Sequence, residues 1–237
     1  RGLSPAHQNL VDAQMKLARV PICFNVIGLG WAGPLILDKG TEYEREKYLK
    51  GILNAEDIWC QGFSEPNHGS DLGSIQTRAE RDGSDYIING SKIWTTMGNY
   101  AKYMILLART EAQAERKYNG LSFFLAPMSA EGISTQPIQK LTGEYGFTET
   151  FFTDARIPAD CIMGEEGQGW RIAMQTLQYE RGAEAGAAGG ISILSIVMND
   201  LLKMAAKVER EGQPLLKDHV TRDNLVKLLI EEKALHL

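Results

Sequence analysis

The sequence predicts an α+β fold in which a helical segment, a strand-rich segment and a second helical segment follow one another. Three observations carry this prediction. A helix-start signal stands at Thr41–Glu44, short apolar or aromatic runs bounded by Gly, Pro and Ser fill about residues 58–164, and a proline-free stretch rich in Ala, Leu, Met and Ile covers Trp170–Val208. Helices and strands that are segregated in this way indicate separate layers within one α+β chain.

The first segment, up to about Asn54, has the pattern of helices. Between Val11 and Val20, apolar residues recur at spacings of two, three or four, which is compatible with a helix. Thr41-Glu-Tyr-Glu44 is a capping box, because the Thr hydroxyl can accept from the backbone N–H three residues on while Glu44 reaches back. We therefore expect a helix from this point towards Leu53, with Gly40 just before it ending the preceding helix.

The second segment has the pattern of strands. Asn89-Gly90 between Asp85–Ile88 and Ser91–Trp94 is the strongest short-range hairpin signal in the chain. Further strand-like runs are Ile58–Phe63, Lys102–Arg109, Leu121–Ala126 and Thr148–Thr153. Short strands at this spacing predict an antiparallel sandwich or barrel.

The third segment is helical again. One long helix over Trp170–Val208 is the simplest prediction, although the glycines within residues 182–190 would each weaken an isolated helix by roughly 1 kcal/mol. Such glycines are tolerable where another helix or a ligand packs closely. A loop at Glu211–Pro214 then precedes a last helix, which we expect over Asn224–Leu237.

Composition excludes several classes of function. The chain has 237 residues, of which 43% are hydrophobic and 23% charged, and a formal net charge of -5. This mild acidity argues against a nucleic-acid surface, and no apolar run approaches the roughly 20 residues that a membrane span needs. Three cysteines without a CxxC pair and four scattered histidines predict neither a disulfide framework nor a metal site.

Gly28-Leu-Gly30-Trp-Ala-Gly33 matches the GxGxxG pattern of dinucleotide-binding loops. That motif requires a strand before it and a helix after it, with an acidic residue about 20 residues on. Here Pro34 follows at once, and only Leu35–Leu37 separate it from Asp38-Lys39-Gly40. We therefore expect these glycines to allow close helix contacts rather than to bind a dinucleotide.

A second glycine-bearing segment is a better candidate for a site. Ser64-Glu65-Pro66 leads into Gly69-Ser70-Asp71, directly after a strand-like run. Such a loop offers hydroxyls and free backbone N–H groups, which can bind a phosphate or the polar edge of a ring system. On local chemistry alone, a purely structural turn accounts for the segment at least equally well.

The whole run Gln61-Gly-Phe-Ser-Glu-Pro-Asn-His-Gly-Ser-Asp71 resembles the signature of the acyl-CoA dehydrogenase family, and Lys92-Ile-Trp-Thr-Thr96 resembles that family's second flavin-contacting segment. Phe63 and His68 depart from the commonest form of the signature, and both are adjacent to the implied flavin. The resemblance runs in the correct order over nearly the whole chain, through Leu141–Glu144, Glu149–Pro158 and Gly164–Trp170.

The resemblance implies an N-terminal helical domain, a middle β-barrel and a C-terminal four-helix bundle. It also implies that the first helices and most of the bundle are missing from this sequence. The implied domains are the end of the N-terminal helical domain at 1–56, the middle β domain at 57–165 and the first helices of the bundle at 166–237.

FAD is the cofactor that the resemblance implies. Ser64 would bond the pyrimidine edge of the flavin ring, Trp94 would pack against the ring, and Thr96 would bond near N5. The alternative for Trp94 is a buried residue at the end of a hairpin. The full set of implied cofactor residues is Gln61, Phe63, Ser64, Gly69, Ser70, Trp94, Thr95 and Thr96.

The implied reaction dehydrogenates an acyl-CoA thioester to the trans-2-enoyl-CoA, with α-proton abstraction by a carboxylate and β-hydride transfer to flavin N5. In most of the family the carboxylate lies on a later loop, which by this comparison the sequence lacks. A minority resembling isovaleryl-CoA dehydrogenase uses a Glu before an Arg, as in Tyr179-Glu180-Arg181. Glu180 is thus a candidate base, the alternative being a solvated Glu–Arg pair. Candidate substrate-binding residues are Ser70, Gln178, Glu180 and Arg181.

The implied partners are an acyl-CoA, an electron-transfer flavoprotein and further subunits in a homo- or hetero-oligomer. A bacterial-type protein would then be cytoplasmic, and a eukaryotic one would lie in the mitochondrial matrix. Two alternatives keep the fold. One is a flavin monooxygenase or nitroalkane oxidase, and the other is a non-catalytic subunit of a heteromeric acyl-CoA dehydrogenase.

Overall fold

A computed structural model of the chain describes residues 5–21, 23–112, 114–185 and 188–234. The helices are α1 (Pro5–Leu17), α2 (Gly33–Lys39), α3 (Glu42–Leu53), α4 (Gly169–Ala185), α5 (Ala188–Lys207) and α6 (His219–Ala234). The strands are β1 (Trp59–Gly62), β2 (Arg78–Asp82), β3 (Asp85–Thr96), β4 (Tyr103–Arg109), β5 (Leu121–Pro127), β6 (Ile133–Gln139), β7 (Tyr145–Pro158), β8 (Glu209–Arg210) and β9 (Gln213–Pro214). The predicted α+β class is confirmed, because helical segments precede and follow a curled sheet along the sequence.

The chain forms two compact units. One comprises Arg1–Ile22 and Arg181–Leu237, and the other comprises Cys23–Glu180. In the first unit, α1 packs on α5, and Arg19 forms an ion pair of 2.8 Å with Asp200. The second unit contains the large sheet, α2, α3 and the first part of α4. The domain boundaries expected after residues 56 and 165 stay predictions.

The large sheet is mixed rather than purely antiparallel. Its order is β1-β4-β2-β3-β7-β6, with β5 paired to β4. Strand β1 pairs parallel with β4 over four residues, and β2 meets β4 only at Arg78 and Arg109, also parallel. Because β1 and β2 pair with different stretches of β4, the loop of residues 63–77 that joins them lies between their ends.

The hairpin predicted at Asn89-Gly90 is wrong. Strand β3 runs through this dipeptide, and the turn lies earlier, between β2 and β3 at Gly83 and Ser84. The Asn89 side chain instead bonds β7, accepting from the Asp154 backbone N–H at 2.9 Å. Gly90 has a φ of +143°, and a Cβ there would lie 2.7 Å from the Thr77 Cα, so the glycine allows a bulge.

The helix-start prediction is confirmed. Thr41 Oγ1 accepts from the Glu44 backbone N–H at 3.2 Å, and the Glu44 carboxylate accepts from the Thr41 N–H at 2.6 Å. Helix α3 then buries Tyr48 and Ile52 in the core. Gly40 ends α2 as expected, with extended backbone, and a Cβ there would lie 2.4 Å from the Ile36 carbonyl oxygen.

The GxGxxG segment forms a π-helical turn over Gly28–Ala32 that continues into α2. The first strand among the described residues comes after it, so it is not a dinucleotide-binding βαβ loop. A Cβ on Gly28 would lie 2.5 Å from the side chain of Asn25. Buried Asn25 in turn bonds the Trp59 N–H and the Asp57 carbonyl, which joins this turn to β1.

The sheet is buried on both faces. One face packs against α2, α3 and α4 through a cluster that includes Leu35, Ile52, Phe123 and Ile172. The opposite face has its own cluster, and neighbouring residues of β4 point alternately into the two. This double burial explains why β4 and β5 are almost continuously apolar.

The long helix expected over Trp170–Val208 falls on α4 and α5, and residues 186 and 187 between them lie outside the described ranges. The loop predicted at Glu211–Pro214 contains the turn of the small hairpin β8–β9. Among the residues that the structure describes, we find no helix with the length and apolar character needed to span a bilayer.

Candidate functional site

A cavity of about 200 Å³ lies where the end of β1, the end of β3, the π-helical turn and α4 meet, all within the unit Cys23–Glu180. Its walls combine apolar rings and chains with a few polar groups. The lining residues are Ile27, Trp31, Gln61, Phe63, Ser64, Ile93, Trp94, Thr96 and Glu180.

Most of the residues proposed from the sequence share this cavity. The predicted cofactor residues Gln61, Phe63, Ser64, Trp94 and Thr96 all line it. The candidate base lines it as well, although it comes from a helix far along the chain; this residue is Glu180.

Other predicted residues lie elsewhere. Gly69 and Ser70 are exposed on the loop beyond Ser64, and Gln178 is exposed on α4. Thr95 is buried in the sheet, where its hydroxyl and carbonyl oxygens accept from the hydroxyls of β7 threonines. Arg181 lies in α4, but its side chain is outside the described part of the structure. The roles expected for these residues stay predictions.

Trp94 reaches the cavity because β3 is irregular there. The pairing of β3 with β7 shifts between Lys92 and Thr95, so Ile93 and Trp94 form a bulge. Trp94 has a φ of +61°, a left-handed conformation that is rare for a bulky residue. Its side chain is 57% exposed and meets Phe147 edge-on, with ring centroids 6.1 Å apart. The indole therefore stands at the cavity rather than in the core.

The loop that carries Ser64 is held by a buried ion pair. Lys92 Nζ lies 2.9 Å from Glu65 Oε1 and donates to the Phe63 carbonyl oxygen at 3.0 Å. The Glu65 carboxylate also accepts from the backbone N–H groups of Gln76 at 2.6 Å and Thr77 at 2.8 Å. The Lys92 side chain is fully buried and that of Glu65 is 6% exposed.

Both charges of this pair are favoured by their partners against the cost of burial. Burial alone would raise the pKa of Glu65, but the Lys92 charge and the hydrogen bonds from Lys92, Thr77 and Gln76 outweigh it and lower that pKa. Burial lowers the pKa of Lys92 to about 8, although Glu65 opposes this shift. Each partner thus favours the charged form of the other.

The two departures from the family signature have different places. Phe63 is buried, contacts Phe123 edge-on at 5.9 Å between centroids, and lines the cavity. His68 lines a neighbouring cavity of about 390 Å³ and forms a backbone bridge with Glu65. Only the first departure therefore changes the wall of the candidate site.

The far end of the loop is fixed at the surface. Asp71 accepts from Lys117 Nζ at 2.7 Å and from the Ser74 hydroxyl at 2.6 Å. The hydrogen bond from Lys117, followed by that from Ser74, lowers the pKa of Asp71. The loop is thus tied down on both sides of Gly69 and Ser70.

The helical turn before Glu180 is held by contacts of α4 with α2. Asp38 of α2 accepts from Gln175 Nε2 at 2.5 Å and from the Tyr179 hydroxyl at 3.1 Å. On the inner side of α4, the Thr176 hydroxyl is buried and donates to the Ile172 carbonyl. These contacts fix the helical turn that precedes Glu180.

Sequence reasoning missed several residues of the site. Trp31 comes from the π-helical segment that was expected only to pack helices, and Ile27 directly precedes that segment. Lys92 and Glu65 were quoted in motifs but given no role, because charged residues are read as solvated by default. Sequence periodicity does not reveal the π-helical turn that carries Trp31, although such turns are frequent at functional sites.

The donor set suits a flat, amphipathic ring rather than a metal ion. The hydroxyls of Ser64 and Thr96 can each donate to a polar ring edge, and the exposed Trp94 indole offers a face or edge for packing. Within the described ranges, no group of three or more His, Cys, Asp or Glu side chains is placed to hold a metal ion. The cavity walls therefore fit an isoalloxazine ring.

Comparisons with known proteins agree with this geometry. The family model described as acyl-CoA dehydrogenase, middle domain, matches residues 60–155, and the model for the C-terminal domain of the same family matches residues 167–237. Acyl-CoA dehydrogenase IpdE1 of Mycobacterium tuberculosis is 37% identical over 222 residues, which cover 94% of this chain and 57% of that protein.

Solved structures show the same similarity. The structure described as Tcur3481-Tcur3483 steroid ACAD has a TM-score of 0.87 at 31% identity, covering 99% of this chain and 58% of that chain. The ChsE4-ChsE5 complex from Mycobacterium tuberculosis has a TM-score of 0.85 at 28% identity, covering 99% and 59%. The chain thus spans little more than half the length of these relatives, and by the two family models it belongs to the acyl-CoA dehydrogenase family.

Proposed function

We propose that this chain belongs to an enzyme that dehydrogenates an acyl-CoA thioester to the trans-2-enoyl-CoA. In that enzyme it would form the wall beside the flavin and supply the carboxylate that acts as the catalytic base. The observation that carries the proposal is that Glu180, Ser64, Trp94 and Thr96 line one cavity although they come from three separate parts of the sequence. Members of the family are flavoproteins, which supports a flavin cofactor.

FAD is the flavin that we propose. Ser64 and Thr96 would bond the polar edge of its ring, and Trp94 would pack against it. When bound, FAD supplies the acceptor for the β-hydride of the substrate. The role of the chain is to orient the flavin ring. Its hydroxyls are held on a fixed loop and a fixed strand, so they lose little conformational freedom when the ring binds.

Glu180 is proposed as the base that removes the α-proton. A carboxylate suits this task when its surroundings are poorly solvated, because desolvation raises its pKa towards the working pH. Ile27, Trp31 and Phe63 supply apolar surface in the same cavity. Gln178 and Arg181 remain proposed substrate contacts on the same helix, and Ser70 on the loop.

A ring-bearing acyl group is the substrate class that we favour. The support is similarity to the structure described as a steroid ACAD, together with a cavity wall built from the flat rings of Trp31 and Phe63. An electron-transfer flavoprotein as electron acceptor and a second, unlike subunit are further parts of this proposal.

The decisive experiment is anaerobic mixing of the complete, flavin-loaded protein with straight-chain and ring-bearing acyl-CoAs while flavin absorbance is followed. Bleaching by any acyl-CoA supports dehydrogenation, and faster bleaching by ring-bearing thioesters supports the finer assignment. Absence of bleaching by every thioester in the panel would remove the proposal.

The role of Glu180 needs a separate measurement. In Glu180→Gln we expect α-proton exchange of a bound acyl-CoA to fall by about 10²-fold or more, the scale of general-base catalysis. Arg171→Ala, an exposed residue earlier on the same helix and outside the cavity, serves as the matched control. Wild-type exchange in Glu180→Gln would assign the base to another residue.

A further inference from the structure

The buried Glu65–Lys92 pair lies behind the cavity rather than in its wall. Neither residue lines the cavity, yet each is next in sequence to a residue that does: Glu65 follows Ser64, and Lys92 precedes Ile93. An effect of this pair on the site must therefore act through its neighbours.

Three consecutive residues of the loop are tied to β3 at this point. Lys92 Nζ bonds the Phe63 carbonyl oxygen and the Glu65 carboxylate, and the Ile93 backbone N–H donates to the Ser64 carbonyl oxygen at 2.9 Å. The Glu65 carboxylate also accepts from two backbone N–H groups at the end of the loop, just before β2. The loop edge and the strand are thus held as one body.

The position of Lys92 along β3 matters for the opposite wall. It is the last residue in regular register with β7 before the bulge that turns Trp94 into the cavity. A left-handed tryptophan is a strained conformation that persists only where its surroundings over-determine it. The bonds of Lys92 and Ile93 fix the start of that bulge.

Stability alone is a weak reason for such a pair. Burying two charges costs desolvation energy, and apolar residues of similar volume often give equal or greater stability. An apolar side chain, however, cannot hold the Phe63 carbonyl oxygen and the Glu65 carboxylate at fixed directions, whereas an ammonium with three donors can. Besides filling space, the ion pair therefore fixes the directions of the Phe63 carbonyl group and the Glu65 carboxylate.

We propose that Glu65 and Lys92 are positioning residues that fix the Phe63–Ser64 edge of the cavity relative to the Ile93–Trp94 bulge, and thereby set the affinity for the flavin. This inference rests on the proposed function, since it concerns the cofactor of the same cavity. Lys92→Met keeps the volume of the side chain and removes its three donors.

In the complete apoprotein of Lys92→Met, we expect FAD titration to show an affinity weaker by about tenfold or more. In metal sites, losing a residue that orients a ligating side chain lowers affinity on this scale. The absorbance bands of the flavin that still binds should shift, because the ring then meets a displaced edge. The matched control is Ile88→Ala in the same strand, a buried residue outside the cavity.

The control separates positioning from folding. Ile88→Ala should lower the melting temperature while keeping flavin affinity within about twofold of wild type, as expected for a distant cavity-forming substitution. If Lys92→Met does not fold, Glu65→Gln takes its place, since it keeps the side-chain shape and removes the carboxylate charge that Lys92 bonds, and the same comparison with Ile88→Ala applies to it. Flavin affinity in the Lys92 variant equal to that of Ile88→Ala at matched stability would overturn the proposal.

Hydrogen exchange of the apoprotein tests the same inference without flavin. Loss of protection at the Ile93 amide in Lys92→Met, but not in Ile88→Ala, supports a fixed loop edge, and unchanged protection overturns it. If the wild-type protein itself binds no flavin, the proposed function fails, and the exchange result still decides whether the pair holds the loop.

Discussion

Trp94 combines two properties that rarely occur together in a strand. Its side chain is more than half exposed, and its backbone is left-handed. A non-glycine residue in that region costs of order 1–3 kcal/mol, which the rest of the fold must offset. Such strain at the wall of a cavity is typical of functional sites, where a residue is held for its contact with a ligand rather than for packing.

Trp94→Gly should therefore raise apoprotein stability while it lowers flavin affinity. We expect the free energy of unfolding to rise by about 0.5–1 kcal/mol as the strain is relieved. Flavin affinity should fall because the indole is lost. Met97→Gly is the control, since Met97 has a φ of +60° but does not line the cavity. Denaturant unfolding and FAD titration measure both effects, and a loss of affinity in Met97→Gly equal to that in Trp94→Gly would contradict the assignment.

Glu65 makes stability depend on pH in the acid range. Its folded pKa lies below the ordinary value of 4.5, because Lys92 and its hydrogen bonds favour the carboxylate over the cost of burial. The contribution is thus present above pH 4.5 and is lost as pH falls through the folded pKa.

Comparison with Glu65→Gln isolates this contribution. At neutral pH, the free energy of unfolding of the variant should be about 3 kcal/mol lower than that of wild type, which is the scale for removing one partner of a buried ion pair. Its free energy of unfolding should also fall less steeply than that of wild type below about pH 5. Glu80→Gln removes an exposed carboxylate and should match wild type. Parallel pH curves for wild type and Glu65→Gln would argue against this account.

At the scale of elements, the π-helical turn and the bulge in β3 decide the shape of the site. Both are irregularities that sequence periodicity does not reveal. The Asn89-Gly90 signal was interpreted as a turn because local propensity favours it, but Asn89 finds its hydrogen bonds on β7 and Gly90 allows Thr77 to approach closely. Long-range contacts overrode the local preference. The capping box, by contrast, is satisfied within four residues and was predictable.

The π-helical turn leads to a prediction about substrate choice. Trp31→Ala should enlarge the cavity and raise kcat/KM for bulkier acyl-CoAs relative to smaller ones by about tenfold, within the range that added or missing methylenes produce in apolar pockets. Leu29→Ala is the control, because Leu29 lies on the same turn and does not line the cavity. Steady-state kinetics with a graded acyl-CoA series measures the ratio. An unchanged ratio in Trp31→Ala would remove this side chain from the acyl-binding wall.

At the scale of the whole molecule, several residues identified by the family resemblance line one cavity, but they form only part of its wall. Ser64, Trp94, Thr96 and Glu180 were identified by resemblance, and the structure brings them together. The apolar wall and the buried pair behind it arise from contacts between segments far apart in sequence. Residue types and spacing alone do not determine such contacts.

The reactivity of three cysteine thiols can show whether the unit Cys23–Glu180 is folded. Cys23 is exposed, whereas Cys60 and Cys161 are buried. Burial raises the pKa of Cys60, and burial also raises that of Cys161 to about 11. Because the thiolate is the reactive form, we expect iodoacetamide to label Cys23 in the native protein and the other two only after unfolding. Mass spectrometry of the labelled peptides checks this, with Cys23→Ser as control. Labelling of Cys60 under native conditions would show that the sheet opens.

Strand β4 supplies the pairing edge for both β1 and β2, and the loop with Ser64 lies between them. During synthesis from the N-terminus, that loop has both of its borders only after Arg109 has left the ribosome, and the wall with Glu180 follows much later. A nascent chain therefore exposes the apolar wall that contains Ile27 and Phe63 until helix α4 has been synthesised. We expect the interval between these two points of translation to be the one in which the chain depends most on chaperones.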